Sequence, residues 1–147
     1  MAVVGAGDAT PEQREVAEAV GRALAGRGAV VVSGGLGGVM EAACRGARDA
    51  GGTTLGILPG HDRRDANPYV DVAIPTGLGE ARNALVVRAA DSLVAVGGGF
   101  GTLSEIALAL KTGKTVVGLG TWELGEDSIT RAGSPEEAVE AALAGSG

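Results

Sequence analysis

Aromatic side chains are almost missing from this sequence, which has one Phe, one Trp and one Tyr among 147 residues. Hydrophobic residues still make up 45% of the chain, so small aliphatic side chains, mainly Ala, Val and Leu, must build the core. Such a core reaches the usual packing density of a protein interior only where secondary-structure elements approach closely. The length fits one domain, and we predict a single domain over residues 1–147.

Cysteine, basic charge and long apolar runs are also scarce. The single cysteine, Cys44, cannot form an internal disulfide, which fits a reducing compartment. Acidic residues outnumber basic ones by 18 to 12 and no basic run occurs, so we expect no nucleic-acid partner. No apolar run approaches the ~18 residues of a membrane span, and no charged leader begins the sequence. We therefore expect a cytoplasmic protein without a membrane partner.

Short β-branched runs alternate with amphipathic helical runs along the chain. The predicted strands are Ala2–Val4, Ala29–Val32, Thr53–Leu58, Val70–Ile74, Ser92–Val96 and Thr115–Leu119. The predicted helices are Pro11–Ala25, Gly38–Ala50, Gly79–Ala90, Thr102–Thr112 and Pro135–Leu143. Continuously apolar strands, such as the VVV of residues 30–32, are typical of parallel strands covered on both faces. The sequence thus predicts an α/β fold, a single Rossmann-like doubly wound parallel sheet with helices on both faces.

Local signals mark several helix boundaries. The segments Thr10–Gln13 (TPEQ) and Ser134–Glu137 (SPEE) each predict a capping box with proline at the first helical position. Three glycines are predicted to end helices: Gly26, Gly51 and Gly113. The acidic stretch Gly120–Gly133, which carries the only Trp, is irregular and has no predicted role.

Three glycine-rich turns each follow a predicted strand and lead into a predicted helix. They contain Gly5, Ala6 and Gly7; Ser33, Gly34, Gly35, Gly37 and Gly38; and Gly97, Gly98, Gly99, Phe100, Gly101 and Thr102. Ligands of open α/β sheets bind beyond the carboxyl ends of the strands, and helix N-termini favour anions such as phosphate. A strand-to-helix turn needs only one or two glycines, so the excess predicts close contact between the backbone and a phosphorylated small molecule.

Two nucleotide-binding motifs are absent. The G-x-G-x-x-G spacing fails at all three turns, and the second strand ends in Ser33 rather than the acidic residue that holds the ribose of NAD. Gly113-Lys114-Thr115 is similar to the end of a P-loop, but Leu108 occupies the position of its first glycine. This P-loop-like segment also precedes a strand instead of following one.

The segment Val96–Glu105 (VGGGFGTLSE) resembles the P-G-G-x-G-T-x-x-E signature of the Lonely Guy (LOG) proteins, a family often mislabelled as lysine decarboxylases. The same superfamily includes the molybdenum-cofactor carrier proteins. Ser33–Gly60 resembles the family's first glycine loop, helix and following strand, and Ala81-Arg82-Asn83 resembles the segment that carries its arginine. The resemblance covers about Val3 to Leu119. It implies a Rossmann-like fold, a nucleotide-like phosphorylated ligand and a homo-oligomer, either a dimer or a tetramer.

The resemblance also implies roles for individual residues. Arg82 and Glu105 correspond to the catalytic Arg and Glu of the LOG phosphoribohydrolases. Gly98, Gly99, Gly101 and Thr102 correspond to the phosphate-binding loop. Two departures from the LOG pattern, Gly97 for the signature proline and Asn83 for the usual lysine, are closer to the molybdenum-cofactor carrier branch.

Two functions from different classes follow. The first is a carrier or binding protein for a phosphorylated pterin such as molybdenum cofactor. The second is a hydrolase that cleaves the N-glycosidic bond of a nucleoside 5′-monophosphate to base and ribose 5-phosphate, using Arg82 and Glu105. A nucleotide sensor is a third interpretation. Lysine decarboxylation is not expected, because it normally needs a pyridoxal-phosphate lysine and both lysines, Lys111 and Lys114, flank a predicted helix end remote from the strand-end crevice. No cofactor is expected to be required for folding.

The candidate residues also have ordinary structural interpretations. Thr102 to Glu105 reads as a T-x-x-E capping box, in which Glu105 would only bond the backbone N–H of Thr102. Arg82 is predicted in the first turn of a helix, where the helix dipole disfavours a cation, and this misfit favours anion binding. His61 and Cys44 are predicted to be a solvated loop residue and a small buried hydrophobe, and neither predicts a metal site.

Overall fold

The computed structural model describes residues 1–125 and 127–146, so Glu126, within the predicted irregular stretch, and Gly147 lie outside the described residues. The strands are β1 (Ala2–Gly5), β2 (Val31–Ser33), β3 (Thr54–Leu58), β4 (Val72–Pro75), β5 (Leu93–Val96), β6 (Val116–Leu119) and β7 (Thr130–Arg131). The helices are α1 (Pro11–Gly26), α2 (Val39–Asp49), α3 (Asn83–Ala89), α4 (Phe100–Lys111) and α5 (Pro135–Gly145), with short 3-10 turns at Arg63–Asp65 and Gly79–Arg82.

All strand pairs are parallel, in the order β4-β3-β2-β1-β5-β6-β7. From β1 the chain runs outward to β4, returns through α3 and adds β5 on the other side of β1. Helices α1, α2 and α5 pack on one face, and α3 and α4 on the other. The predicted α/β doubly wound fold is confirmed. Because the chain reverses direction beside β1, the loops after β1 and β5 diverge and open a crevice between them.

The core consists of two layers of small aliphatic side chains, one on each face of the sheet. Successive residues of β1 supply both layers, with Val3 buried against α1 and α2 and Val4 buried against the α3 and α4 side. Helices α1 and α2 approach closely because Gly21 and Gly46 carry no side chain, and a Cβ on either would collide with a backbone carbonyl of the other helix. No helix in the described part of the chain is both long and apolar enough to cross a membrane.

Several helix boundaries differ from those predicted. The capping box at Thr10 and Gln13 is complete, but Ser134 has only half of one, because the Glu137 carboxylate accepts from the Gly133 N–H instead. Gly51 and Gly113 end α2 and α4 with φ of +78° and +76°, as predicted. At the end of α1 the left-handed residue is Gly28, with φ of +75°, and the predicted Gly26 is still helical.

The elements around β4 and β7 also differ from the prediction. The predicted helix at 79–90 begins as a 3-10 turn, and Gly79 at the start of this turn has a φ of +58°. Strand β4 begins two residues later than predicted, since the Asp71 carboxylate accepts hydrogen bonds from the Thr54 backbone N–H at 2.9 Å and from its hydroxyl. Strand β7 has only two residues and was not predicted.

Candidate functional site

A cavity of about 280 Å³ opens at the carboxyl end of the sheet, beside the point where β1 lies between β2 and β5. Ten of the predicted site residues line it: Gly5, Ala6, Gly7, Gly34, Arg82, Asn83, Gly99, Gly101, Thr102 and Glu105. Three strand-end loops, the start of α3 and the start of α4 therefore converge on one volume. Met40 also lines the cavity and was not among the predicted site residues; its place just after the second glycine turn was the available signal.

Other glycines of the three turns have structural reasons. Gly38, with φ of +65°, lies so close to the carbonyls of Ala6 and Gly7 that a Cβ would collide with both. Gly97 and Gly98 also have positive φ, and a Cβ on them would collide with the Gln13 and Thr102 side chains, respectively. These residues do not line the cavity, and neither do Gly35 and Gly37. Their absence of side chains lets the loops pack against one another.

At Gly99 and Gly101, neither the backbone conformation nor the packing requires glycine. Neither has a positive φ, nothing lies within 4 Å of a Cβ built on Gly99, and the nearest atom to one on Gly101 is Asn83 Nδ2 at 3.8 Å. Gly101 lies inside α4, where glycine costs about 0.5–1 kcal/mol relative to alanine. Both residues line the cavity, so their missing side chains leave open space at the start of this helix.

Helices α2 and α4 begin at the cavity without side-chain caps. Their N-cap residues, Gly38 and Gly99, carry no side chain to cap the first N–H groups, whereas α1 and α5 are capped by Thr10 and Ser134. In α2 the Val39 N–H donates instead to the Ala6 carbonyl at 3.1 Å. In α4 the Leu103 N–H reaches the Gly99 carbonyl at 3.0 Å, so the N–H groups before it have no partner within the helix. The partly positive N-terminus of α4 therefore opens at the cavity, an arrangement that favours an anion.

Arg82 adds a full positive charge to the cavity wall. Its Nη1 donates to the Asn83 side-chain carbonyl, and its Nη2 lies 3.4 Å from the carbonyl oxygen of Gly34. Its Nε is buried without any hydrogen-bond partner, which is true of no other side-chain nitrogen or oxygen in residues 1–125 and 127–146. Burial lowers the pKa of Arg82 and the charge of Glu105 opposes this, but a guanidinium stays protonated in proteins. Arg82 lines the cavity, and its guanidinium has five N–H donors, more than the two that these contacts use.

Glu105 is a buried carboxyl group in the wall of the same cavity, with only 8% of its surface exposed. Burial raises the pKa of Glu105 to about 7, and the positive charge of Arg82 acts in the opposite direction. The two side chains form no ion pair within 4 Å, so their attraction acts through the space of the cavity. A carboxyl group of this kind exchanges a proton near neutral pH.

The capping-box interpretation of Glu105 is wrong. Helix α4 begins at Phe100, after the N-cap Gly99, so Thr102 is already its third residue. Glu105 therefore lies in the second turn, beyond the first free N–H groups, and α4 has no side-chain cap. Because α4 begins earlier than predicted, Glu105 lies in the cavity wall and not at the helix cap.

Phe100 and Ser33 lie outside the cavity wall. Phe100 is 82% exposed, and its ring lies 5.7 Å from that of Trp122, tilted by 33°. Ser33 is fully buried, and its hydroxyl accepts the Gly35 N–H at 3.1 Å. The remaining candidates are also remote: His61 is exposed beside Gly77, and Lys114 binds the backbone carbonyl of Val87.

The buried Cys44 has a raised pKa, chiefly because of desolvation. No cluster of three or more His, Cys, Asp or Glu side chains suited to a metal ion occurs among the residues that the structure describes.

Comparison with known proteins gives one family and consistent structural neighbours. A family model described as the SLOG cluster4 family matches residues 1–144. A protein of Archaeoglobus fulgidus is 47% identical over 120 residues, which cover 81% of this chain and 78% of that protein. The molybdenum cofactor binding protein of the phototrophic bacterium Rippkaea orientalis is 40% identical at a TM-score of 0.87, covering 95% of this chain and 90% of its own.

The Moco carrier protein of Chlamydomonas reinhardtii is 39% identical at a TM-score of 0.88, covering 97% of this chain and 94% of its own. The predicted resemblance to the molybdenum-cofactor carrier branch is therefore confirmed, and so is the Rossmann-like fold.

Proposed function

Because the chain belongs to the SLOG cluster4 family, we propose that it binds a phosphorylated, nucleotide-like small molecule in this cavity and acts as a carrier protein of the molybdenum-cofactor type. One observation carries the proposal: the N-terminus of α4, which has no side-chain cap, and the half-buried Arg82 meet at one cavity. Backbone N–H groups, a helix dipole and an arginine are the donors that proteins use for phosphate.

The donor set suits the phosphate of molybdenum cofactor, which would be cargo rather than a resident group. The free N–H groups of α4 and the guanidinium of Arg82 would hold the phosphate, and the open space at Gly99 and Gly101 would admit it close to the backbone. Glu105, neutral for part of the time near pH 7, would face the polar part of the molecule and donate or accept a hydrogen bond there. The carrier function requires binding and release only.

Replacing Gly101 with Ala tests this proposal. The new methyl group would enter open space in the cavity, so we expect the folded state to gain up to about 1 kcal/mol while ribose 5-phosphate binding weakens at least about tenfold. Calorimetric titration gives the binding constant and urea unfolding gives the stability. Gain of stability with loss of binding is the result that a purely structural glycine would not give.

Gly26 provides the matched control. It also lies at a helix end, has no positive φ and has nothing within 4 Å of its Cβ position, but it is exposed and does not line the cavity. Gly26→Ala should therefore leave ribose 5-phosphate binding unchanged, whatever its effect on stability. Equal binding by the Gly101→Ala and Gly26→Ala variants would overturn the proposed phosphate site.

The raised pKa of Glu105 favours a second candidate function, that of an N-glycosidic hydrolase. A carboxyl group with a pKa of about 7, facing an arginine across a cavity, suits the hydrolysis of an N-glycosidic bond. In that reaction water adds to the anomeric carbon, the bond from that carbon to the base nitrogen breaks, and the base leaves with a proton. Glu105 would take a proton from the water or stabilise the positive charge that develops on the sugar.

Base release distinguishes the two functions. The protein would be incubated with nucleoside 5′-monophosphates and free base followed by chromatography, with Glu105→Gln in parallel. The carrier proposal predicts binding of AMP without base release by either protein. Base release by the wild type that falls at least about 100-fold in Glu105→Gln would make the protein a hydrolase.

A further inference from the structure

Two of the three aromatic residues in the chain lie together on the surface beside the cavity. Phe100 and Trp122 are in contact, with ring centroids 5.7 Å apart and a tilt of 33° between the rings. Phe100 is 82% exposed, more than any other large hydrophobic side chain in residues 1–125 and 127–146. Trp122 is partly buried and packs against the core, whereas Phe100 does not, so the core gives no packing reason for Phe at this position.

The backbone places this aromatic pair at the rim of the cavity. Phe100 is the first residue of α4, and its chain neighbours Gly99 and Gly101 both line the cavity. Trp122 is anchored to the same turn, because its Nε1 donates to the Gly99 carbonyl at 3.0 Å. Thr121 forms a second hydrogen bond to the turn, in which its hydroxyl donates to the Gly97 carbonyl at 2.6 Å. The rim is therefore held by hydrogen bonds as well as by ring contact.

The cavity is small for a nucleotide-like ligand. Its volume of about 280 Å³ lies just below the ~300–1,000 Å³ of typical small-molecule pockets, and none of its lining residues is aromatic. A phosphate held by the free N–H groups of α4 would lie next to Gly99 and Gly101, which line the cavity and flank Phe100, so a ring attached to that phosphate would lie within reach of Phe100. Phe100 is the exposed ring on that side.

We propose that Phe100, supported by Trp122, is a stacking platform for the planar nitrogen heterocycle of the ligand. The proposal rests on the phosphate site described above and adds a second contact that selects ring-bearing ligands over bare phosphates. Stacking recognises a flat π-face and not a particular hydrogen-bond pattern, so both a purine and a pterin suit it. Phe100 is then a ring-binding residue and not part of the phosphate loop.

The test compares ligands with and without a ring. The probes are AMP, 6-hydroxymethylpterin phosphate and ribose 5-phosphate, each titrated by calorimetry into the wild type, Phe100→Ala, Phe100→Leu and Phe100→Tyr. Phe100→Ala should weaken at least one ring-bearing probe about tenfold and leave ribose 5-phosphate unchanged. Phe100→Leu should behave like Phe100→Ala, because it keeps apolar bulk without a π-face, whereas Phe100→Tyr should retain wild-type binding.

Trp122 gives an independent readout because it is the only Trp in the chain. Its fluorescence should change on addition of a ring-bearing probe and not on addition of ribose 5-phosphate. Unchanged affinity of Phe100→Ala for both ring-bearing probes, with ribose 5-phosphate still bound, would overturn the stacking platform and leave the phosphate site intact. Failure of all three probes to bind the wild type would overturn the phosphate site and the platform together.

Discussion

Replacing Glu105 with Gln will stabilise the protein at pH 8 and leave its stability almost unchanged near pH 4. The pKa of Glu105 is raised by burial from its ordinary value of 4.5 to about 7 in the folded protein. The folded state therefore binds the Glu105 proton more tightly than the unfolded state, and this contribution to stability is complete below about pH 4.5. It is lost as the pH rises through about 7, at a cost of about 3 kcal/mol once the carboxylate is charged.

Gln avoids this cost because it carries no charge at any pH. Urea unfolding of both proteins between pH 4 and pH 9 should therefore show a stability difference that grows with pH and levels off above about pH 8. Glu15→Gln, at an exposed position on α1, serves as the control for the loss of a surface carboxylate. A Glu105→Gln difference that does not vary with pH would show that Glu105 has no raised pKa.

Replacing Arg82 with Met will weaken the binding of ribose 5-phosphate about 100-fold or more without lowering the melting temperature. The guanidinium is half-buried, and the contacts it loses are one hydrogen bond to the Asn83 side chain and one of 3.4 Å to the Gly34 carbonyl. Charge-assisted bonds from an arginine to a phosphate are worth about 1.5–3 kcal/mol each, and the two that a guanidinium forms account for the expected loss. Met fills similar apolar volume, and at pH 5, where Glu105 is protonated, it leaves no buried charge behind, so the melting temperatures are compared at that pH.

The same substitution gives a second, independent signal at Glu105. The positive charge of Arg82 holds the pKa of Glu105 below the value that burial alone would give. Its removal should move the pH dependence of stability attributed to Glu105 upward, above about pH 7. Arg88→Met, at an exposed position on α3, is the control and should change neither binding nor this pH dependence. Unaltered binding by Arg82→Met would remove arginine from the account of the site.

The fold follows from local patterns of the sequence where those patterns are long enough. Continuously apolar strands and glycine turns predict the parallel sheet, and six of its seven strands lie within one or two residues of their predicted bounds. Strand β7 was not predicted, because its two residues, Thr130 and Arg131, are too few to show a periodic pattern. The sequence pattern does not reveal that the predicted helix at 79–90 is divided into a 3-10 turn and α3, nor that Gly79 has a positive φ.

The site is predicted more coarsely, because its glycines have different roles that sequence does not separate. Gly97 and Gly98 are needed for backbone conformation and packing, whereas Gly99 and Gly101 leave open space. This difference depends on tertiary neighbours such as the Gln13 side chain, which comes from a distant part of the chain. The sequence pattern also does not show that α4 begins at Phe100, two residues before the predicted start, and this start sets the position of Glu105 in the cavity wall.

Titration of the wild-type protein with ribose 5-phosphate and with ribose, by calorimetry in phosphate-free buffer, tests the central claim most directly. The account predicts saturable binding of ribose 5-phosphate and no detectable binding of ribose, since the free N–H groups of α4 and the guanidinium of Arg82 require an anion. Equal affinity for the two sugars, or no binding of either, would contradict a phosphate site at this cavity.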